Sequence, residues 1–388
     1  MNTMYLVSRS VPVSAELTTS STGQTSAPAD STIRVIDLFA GAGGFTAGFR
    51  AASERYRTVR AVEWDTAAAA SYEATFGEGI VFAGSIQDWL DEGDVPQADL
   101  IVGGPPCQGF STLGKQDEED ERNSLWREYM RTIIKAKPKY FVVENVAAFE
   151  KSPQFRLFRQ ETESGGQLQH YTFELRILNA ADFGAPQARK RAVIIGHLRS
   201  LPFPGWPDPT HVGAHRSVKD AFDEAGIALA TNGIDLPTSR GVSVAGRTLA
   251  GPFTRSDLHL DRRYTELSVK RFRAIPKNGN RFDLAKKRPD LLPKCWIGHT
   301  TGSADVMGRL NWNKPSVTIR TEFFKPEKGR YLHPTENRAI THFEAAVLQG
   351  FPPEHKFVGS KTAIAKQIGN AVPIPLGRAI AEKLLESL

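Results

Sequence analysis

The stretch Ile33-Arg-Val-Ile-Asp-Leu-Phe-Ala-Gly-Ala-Gly-Gly44 indicates the architecture of this chain more clearly than any other. Its first half is a short apolar run of the length of a buried strand, and glycines follow directly after Phe39. Residues 45–54 then have the pattern of a helix. Strand, glycine-rich turn and helix form the unit on which α/β proteins hold nucleotides. We therefore expect the first strand of an α/β sheet here, followed by a ligand-binding turn.

Predicted strands and helices alternate through the first half of the chain. Strands are predicted over residues 58–62, 80–82, 99–102, 140–143, 173–178 and 192–195, and helices over residues 67–76 and 122–136. Such alternation is typical of parallel sheets that carry helices on both faces. We predict an α/β fold with a doubly wound, mostly parallel sheet and a second, smaller, loop-rich domain.

The amino-acid composition changes after about residue 200, where proline, glycine and basic residues become frequent. We predict a catalytic and cofactor-binding domain over residues 32–200 and a target-recognition domain over residues 201–335. Helical patterns at 341–349 and 376–385 indicate that residues 336–388 return to the first domain. Residues 1–31 are rich in Ser and Thr and lack the apolar core of a signal peptide, so we expect a disordered tail.

The composition excludes several classes of protein. The 388 residues are 40% hydrophobic and 24% charged, as in ordinary globular proteins. No apolar run has the length of a membrane span. Two cysteines cannot build a disulfide framework or a zinc cluster. We expect a cytoplasmic protein in a reducing environment, with no metal and no membrane partner.

The positive charge is concentrated in one stretch. The net charge is +6, yet residues 261–294 contain 11 Lys or Arg and 4 Asp or Glu, a local balance of +7. Basic groups mixed with aromatic ones favour a nucleic acid as the partner. Arg271 and Arg273 are the candidate DNA contacts in this stretch. The alternative is a solvated loop whose lysines and arginines have no partner.

Several chemically distinctive features fall at the carboxyl ends of predicted strands. They are the glycine turn, Glu63, Ser85, Cys107 and Glu144. Ligands of doubly wound sheets bind beyond these ends. We therefore expect these features to meet at one edge of the sheet and to form the active site.

The glycine turn and the end of the second strand predict a nucleoside site. Glycines let a backbone approach a ligand closely, and an acidic residue about twenty positions later accepts hydrogen bonds from ribose hydroxyls. Glu63 holds that position, and Trp64 offers a flat face for an adenine. The turn fits NAD, FAD or S-adenosylmethionine. Its spacing, Gly41-Ala42-Gly43-Gly44, differs from the dinucleotide pattern and favours S-adenosylmethionine, which has no pyrophosphate to hold.

The stretch Gly103-Gly-Pro-Pro-Cys-Gln-Gly-Phe-Ser111 places Cys107 after a predicted buried strand, in a loop stiffened by two prolines. Alone, Cys107 would be an inert buried cysteine, and Glu144 alone would be a surface carboxylate. Together with a methyl donor they suggest chemistry on cytosine. A thiolate that adds to C6 makes C5 nucleophilic towards a methyl sulfonium, and an acid that protonates N3 favours that addition.

A third element precedes the strand predicted over 192–195. Gln187, Arg189 and Arg191 alternate there, so we expect all three to project towards one face. Arginines in this place would donate to a base carbonyl or a phosphate. The alternative is an exposed basic strand start.

In combination, these segments strongly resemble the C5-cytosine DNA methyltransferases of bacterial restriction-modification systems. The resemblance covers roughly residues 33–200 and 315–388, in the family's motif order. The matching segments are Asp37-Leu-Phe-Ala-Gly-Ala-Gly-Gly-Phe45, Gly104-Pro-Pro-Cys-Gln-Gly-Phe-Ser111, Glu144-Asn-Val146, Gln187-Ala-Arg-Lys-Arg191, a late segment ending Leu348-Gln-Gly-Phe-Pro352, and Gln367-Ile-Gly-Asn-Ala-Val-Pro373.

The resemblance implies catalytic and DNA-binding roles by position. Cys107 would be the nucleophile and Glu144 would protonate N3, while Arg191, assisted by Arg189, would contact the cytosine carbonyl. The residues near the flipped nucleotide and its phosphate would be Gln108, Ser111 and Gln187. S-adenosylmethionine would contact Phe39, Ala40, Gly41, Gly43, Gly44, Glu63, Trp64, Ser85, Ile86, Pro106, Leu125, Asn370 and Val372.

Ser85 departs from the family pattern. The family usually carries an aspartate here, in contact with the adenine amino group of the cofactor. We expect Ser85, or its neighbour Asp88, to accept that hydrogen bond instead.

The resemblance implies a monomer that methylates C5 of a flipped-out cytosine in a specific duplex DNA sequence, with a restriction endonuclease in the same cell as a partner it does not touch. Three alternatives stay open: a related enzyme that acts on RNA, a DNA-binding protein with a relic cofactor fold, and an NAD-dependent oxidoreductase. The intact Cys107, Glu144 and Arg191 argue against the second, and the glycine spacing argues against the third.

Overall fold

The computed structural model describes residues 31–106, 125–244, 246–297 and 303–388. Its centre is a seven-stranded sheet in the order β3-β2-β1-β4-β5-β7-β6. The strands are β1 Ile33–Leu38, β2 Tyr56–Glu63, β3 Val81–Ala83, β4 Leu100–Gly103, β5 Tyr140–Val146, β6 Tyr171–Asn179 and β7 Lys190–Leu198. The first five pair in parallel, and only β7 runs against its neighbours β5 and β6. The prediction of a mostly parallel α/β sheet is confirmed.

Helices cover both faces of this sheet. The described residues form the helices α1 Gly44–Ala52, α2 Thr66–Phe76, α3 Ile86–Glu92, α4 Leu125–Ala136, α5 Pro153–Glu161, α6 Val218–Glu224, α7 Glu266–Ala274, α8 Arg281–Lys287, α9 His342–Gln349, α10 Lys361–Asn370 and α11 Ile374–Leu385. Of these, α7 and α8 pack in a separate cluster away from the sheet. Short strands complete the structure outside the sheet, namely β8 Gly241–Val244, β9 Arg247–Ala250, β10 Phe253–Thr254 and β11 Lys356–Phe357.

The apolar residues of β1 show how two helical layers sandwich the sheet. Ile36 and Leu38 face the layer of α3, α4 and α5, while Ile33 and Val35 face the layer of α1 and α11. Side chains of a strand alternate between its two faces, so a strand buried on both sides must be apolar throughout. This burial explains why the first strand reads as a nearly continuous apolar run.

The C-terminal helix α11 packs directly on α1. A Cβ on Gly48 of α1 would lie 2.8 Å from the backbone nitrogen of Arg378, so only glycine permits this approach. Tyr56 of β2 also donates its hydroxyl to Ala381 O at 2.7 Å. The end of the chain therefore completes the layer that begins with the glycine turn.

The region after residue 200 shares its main core with the C-terminal segment. Val218 and Leu310 pack in one cluster with Leu348, Ile364 and Ile368. A smaller cluster under the basic stretch contains Phe272, Leu284, Leu291 and Met307. Residues 32–388 form one compact unit, and the domain boundaries near 200 and 335 stay a prediction.

Several details of the sheet and its helices differ from the sequence prediction, and two of them bear on the site. β5 extends to Val146 because Glu144 and Asn145 pair with Val193 and Ala192 of the antiparallel β7. The short helix α3, which Ser85 caps, was not predicted. A polar residue pair at the end of an apolar run, such as Glu144-Asn145, looks like a strand terminus unless the neighbouring strand is known.

Candidate active site

A cavity of about 1250 Å³ opens at the carboxyl ends of the parallel strands. Its walls come from the turn after β1, the ends of β2, β4 and β5, the start of β7, and residues 303–331 and 363–372. The predicted site residues in this wall are Phe39, Ala40, Gly41, Gly44, Glu63, Trp64, Pro106, Glu144, Arg189, Arg191, Asn370 and Val372. The structure thus brings these twelve candidates together around one cavity.

The glycine turn presents bare backbone to the cavity. Phe39 and Gly41 both have positive φ angles, 54° and 56°, and a Cβ on Gly41 would meet nothing within 4 Å. A Cβ on Gly44 would instead lie 3.0 Å from Val372 O, so the turn and the C-terminal segment touch through their backbones. This close approach joins two distant parts of the predicted cofactor site.

The carboxylate of Glu63 holds the glycine turn in place. Its Oε2 accepts a hydrogen bond from Gly41 N and its Oε1 accepts one from Asp65 N, both at 2.8 Å. Burial raises the pKa of Glu63 to about 7. Each oxygen retains further acceptor capacity for a ribose hydroxyl, but the structural role was not expected from the sequence. Trp64 beside it is 73% exposed at the cavity wall.

Asp37 is a cavity residue that sequence reasoning missed. It is fully buried in β1, and Thr46 Oγ1 donates to its Oδ2 at 2.7 Å. The hydroxyl of Tyr72 lies 2.6 Å from the same Thr46 oxygen. Burial raises the pKa of Asp37 to about 8. An acidic residue inside an otherwise apolar strand was the signal that could have revealed it.

Glu144 and Arg191 form an ion pair between β5 and β7. Arg191 Nε lies 2.7 Å from Glu144 Oε1, and both side chains are largely buried at the cavity wall. The adjacent Asn145 donates from Nδ2 to Pro105 O at 2.8 Å. A Cβ on Gly104 would lie 3.4 Å from Glu144 Oε2. The segment that leads to Cys107 is therefore fixed beside the carboxylate.

Gln187 and Arg189 make their hydrogen bonds to internal segments, although Arg189, like Arg191, lines the cavity. Gln187 is fully buried, donates from Nε2 to Gln349 Oε1 at 2.8 Å, and accepts at Oε1 from Ile319 N at 2.7 Å. Arg189 donates to Ile319 O at 2.9 Å and to Gly369 O at 3.1 Å. Burial and the nearby Arg191 lower the pKa of Arg189 to about 9. Arg189 and Arg191 thus line the same cavity, whereas Gln187 lies outside its described wall and joins internal segments. That all three side chains project towards one face stays a prediction.

Other predicted residues lie outside the described cavity wall. Ser85 Oγ accepts from Asp88 N at 3.1 Å and lies 2.6 Å from Asp88 Oδ2, so these two residues cap α3 together. Gly43 faces the ring of Phe76. Ile86 is buried in the core and Leu125 packs against it. Contacts of Gly43, Ser85, Ile86 and Leu125 with a cofactor stay a prediction.

The structure describes only some of the predicted DNA-contacting residues. Cys107, Gln108 and Ser111 lie outside the described residues. Arg271 and Arg273 stand on α7, where Arg271 Nε donates to Leu291 O at 2.7 Å and Arg273 is exposed. Their contact with DNA stays a prediction.

The fold and the cavity place this chain among the doubly wound α/β enzymes that bind ligands at the carboxyl edge of the sheet. The sequence model of the C-5 cytosine-specific DNA methylases matches residues 33–386. The chain belongs to this family and is therefore a DNA (cytosine-5)-methyltransferase.

Named relatives and solved structures agree with this assignment. The chain is 31% identical to the Type II methyltransferase M1.HphI of Haemophilus parahaemolyticus, over 90% of this chain and 86% of that protein. It is 32% identical to the Type II methyltransferase M.NgoFVII of Neisseria gonorrhoeae, over 88% and 83%. A prophage-encoded E. coli protein described as a DNA modification methyltransferase has the same fold, with a TM-score of 0.65 at 24% identity over 92% of this chain and 99% of that one.

Two further properties concern the described part of the chain. None of its helices combines the length and the apolar character needed to cross a membrane. Within the same residues, we find no cluster of three His, Cys, Asp or Glu side chains arranged to hold a metal ion.

Proposed function

We propose that this enzyme transfers a methyl group from S-adenosylmethionine to C5 of a flipped-out cytosine in a specific sequence of duplex DNA. The observation that carries the proposal is the Glu144–Arg191 pair, with the Pro105–Pro106 segment held beside it by Asn145. This arrangement places an acid and a cation next to the start of the segment that contains Cys107. The relatives named as Type II methyltransferases support a role in a restriction-modification system.

The residues around the glycine turn suit a nucleoside cofactor without phosphates. The exposed backbone at Gly41 leaves room for the ligand, and the buried Glu63 supplies carboxylate oxygens for ribose hydroxyls. Trp64 offers an exposed ring for the adenine, and Asn370 and Val372 also line the cavity. When bound there, S-adenosylmethionine supplies an electrophilic methyl group.

The chain's own residues carry out the other steps. The Cys107 thiolate adds to C6 of the cytosine while Glu144 delivers a proton to N3. Arg191 Nε lies 2.7 Å from Glu144 Oε1, and this ion pair holds the carboxyl group at the cavity wall. The remaining donors of the Arg191 guanidinium suit the cytosine carbonyl. After methylation, the C5 proton leaves to a base, the C6–S bond breaks, and Glu144 regains its proton from N3.

The experiment is covalent trapping on duplex DNA that contains 5-fluorocytosine. A base removes a proton from C5 but cannot remove fluorine, so the Cys107–C6 bond persists after methyl transfer. In the presence of S-adenosylmethionine, mixed-sequence duplexes should give an adduct that denaturing electrophoresis resolves. The adduct should disappear in Cys107→Ser and persist in Cys295→Ser, because Cys295 is the chain's other cysteine.

Two outcomes would contradict the proposal. If the wild-type protein gives no adduct on any duplex, the mechanism is wrong. If the same label in RNA gives the adduct and duplex DNA does not, the substrate is wrong.

A further inference from the structure

A second cavity, of about 390 Å³, lies within the basic stretch and has no role in the proposed chemistry. We name it the arginine–aromatic pocket and define it by Arg263, Tyr264, Arg271, Trp296, Met307 and Glu327, which all line it. These residues contribute two cations, one anion and two large aromatic rings. Such a mixture differs from the apolar wall of an ordinary packing defect.

Hydrogen bonds and ring contacts with neighbouring residues fix the walls of this pocket. Tyr264 accepts a hydrogen bond at its hydroxyl from Ala339 N at 3.0 Å, and its ring meets Phe272 edge to face at 5.2 Å. Arg271 donates from Nε to Leu291 O at 2.7 Å. Because these bonds hold the ring and the guanidinium in place, the pocket exists before any ligand arrives.

The arginine–aromatic pocket and the active-site cavity are lined by residues that are close neighbours in the chain. Asp305 and Arg330 line the active-site cavity and pair at 3.1 Å, whereas Met307 and Glu327 line the arginine–aromatic pocket. Met307 N donates to Pro326 O at 2.8 Å, which joins the two segments that contain these residues. Asp305 and Met307 are two positions apart, so their backbones are separated by at most about 7 Å. This length is about twice the roughly 3.4 Å rise between neighbouring nucleotides of one DNA strand. A DNA strand that enters the cavity can thus reach the pocket within a few nucleotides.

We propose that the arginine–aromatic pocket binds one further unstacked nucleotide of the DNA substrate, within three positions of the target cytosine on the same strand. The base stacks on Trp296 and Tyr264, and Arg263 and Arg271 face the phosphate. Single-stranded nucleotides are held elsewhere by this combination of aromatic faces and arginines. The inference rests on the proposed function, because it requires the cytosine to enter the neighbouring cavity. It makes this pocket a determinant of which sequence is methylated.

The test begins by locating the methylated cytosine in a plasmid by bisulfite sequencing. Duplexes with that site then receive an abasic residue at each of the three positions on either side of the cytosine. Fluorescence anisotropy gives the Kd of each duplex for the wild type, Trp296→Ala, Trp296→Phe and Phe282→Ala. Phe282 is an exposed aromatic residue of the same basic stretch outside the described pocket wall, so it provides the matched control.

We expect Trp296→Ala to weaken binding of the intact duplex about 5- to 150-fold, the range for loss of one base–aromatic stack. This loss should vanish when one particular position is abasic, and Trp296→Phe should retain most of the affinity. Phe282→Ala should bind as the wild type. The inference is overturned if Trp296→Ala has no effect, or if its effect is the same on every abasic duplex.

A second variant guards against a folding defect. Arg263 is exposed, so Arg263→Gln should leave the thermal unfolding midpoint unchanged while the slope of log Kd against log salt decreases by about one. An unchanged slope overturns the assignment of the phosphate to Arg263. Adduct formation with 5-fluorocytosine separates the two proposals. If the wild type forms the adduct but the effect of Trp296→Ala does not depend on the abasic position, only the proposed role of the pocket is wrong. If the wild type forms no adduct, the proposed function is wrong.

Discussion

Arg191 Nε lies 2.7 Å from Glu144 Oε1, and this ion pair ties the antiparallel strand β7 to the end of the parallel strand β5. A buried carboxylate needs such a partner because an isolated charge is costly to remove from water. The pair also holds the Glu144 side chain at the cavity wall. The ion pair therefore connects β5 to β7, and mutating its two residues is the most direct test of the proposed mechanism.

Glu144→Gln should slow methyl transfer about 10²- to 10⁴-fold, because an amide cannot deliver a proton to N3. Arg191→Lys should fall between this variant and the wild type, since lysine keeps the charge and loses the planar fork. Single-turnover methylation with saturating cofactor measures the effect. Glu150→Gln changes an exposed carboxylate just beyond β5 and serves as control. Near-normal turnover in Glu144→Gln would exclude it as the acid.

The buried amides of Gln187 and Gln349 should act as one unit in stability and cofactor binding. Gln349 donates to Ile368 O, and Gln187 bonds both Gln349 and Ile319, so the pair connects the start of β7 to the segment before Asn370. Each alanine variant should lose about 1–3 kcal/mol through unsatisfied buried groups. Urea unfolding of the single and double variants should give a coupling of about 0.5–3 kcal/mol. Strictly additive losses would show that the two amides act separately.

The same variants should weaken cofactor binding without abolishing it, as isothermal titration with S-adenosylmethionine can measure. Gln160→Ala is the control, because Gln160 is exposed on α5. A loss of stability with unchanged cofactor affinity would confine Gln187 and Gln349 to folding.

Asp37 should make the folded state less stable as the pH rises from about 6.5 to about 8.5. Burial raises its pKa from 3.8 to about 8, so the folded protein keeps a proton that the unfolded chain has lost. The folded state binds more protons in this window, and stability therefore falls with pH, by up to about 1.4 kcal/mol per unit. Glu63, with a pKa of about 7, adds to the lower part of the window.

The pH range of this prediction starts at about 6.5, the ordinary pKa of histidine. Burial lowers the pKa values of His333, His342 and His355. Below about pH 6.5 these histidines therefore make the folded state more stable as the pH rises, which opposes the effect of Asp37. Urea unfolding at several pH values should show a smaller slope in Asp37→Asn than in the wild type. Glu92→Gln, an exposed change on α3, should leave the slope as it is. An equal slope in Asp37→Asn and wild type would assign the proton to another group.

The sequence predicted the sheet well because buried parallel strands are apolar runs with turns at fixed distances. The sequence placed Glu63 and Glu144 at the cavity because strand ends of a doubly wound sheet meet at one edge, whereas Arg191 was assigned to the site by its resemblance to the family motif. The role of Gln187 could not be predicted, because its partners Gln349 and Ile319 are more than 130 positions away. Asp37 was overlooked because its local sequence looks like core, and only the surrounding hydroxyls show how its carboxyl is accommodated.

The basic stretch should give DNA binding a steep dependence on salt. Removing a single phosphate interaction reduces the slope of log K against log salt by about 0.9. Lys286 and Lys287 are both exposed at the end of α8, so the double change to glutamine should lower the slope by about two if both bind phosphates. Fluorescence anisotropy between about 50 and about 200 mM salt measures the change. Lys137→Gln is the control, because Lys137 is exposed at the opposite edge of the sheet, before β5 begins. A flat salt dependence in the wild type would remove residues 261–294 from the DNA-binding surface.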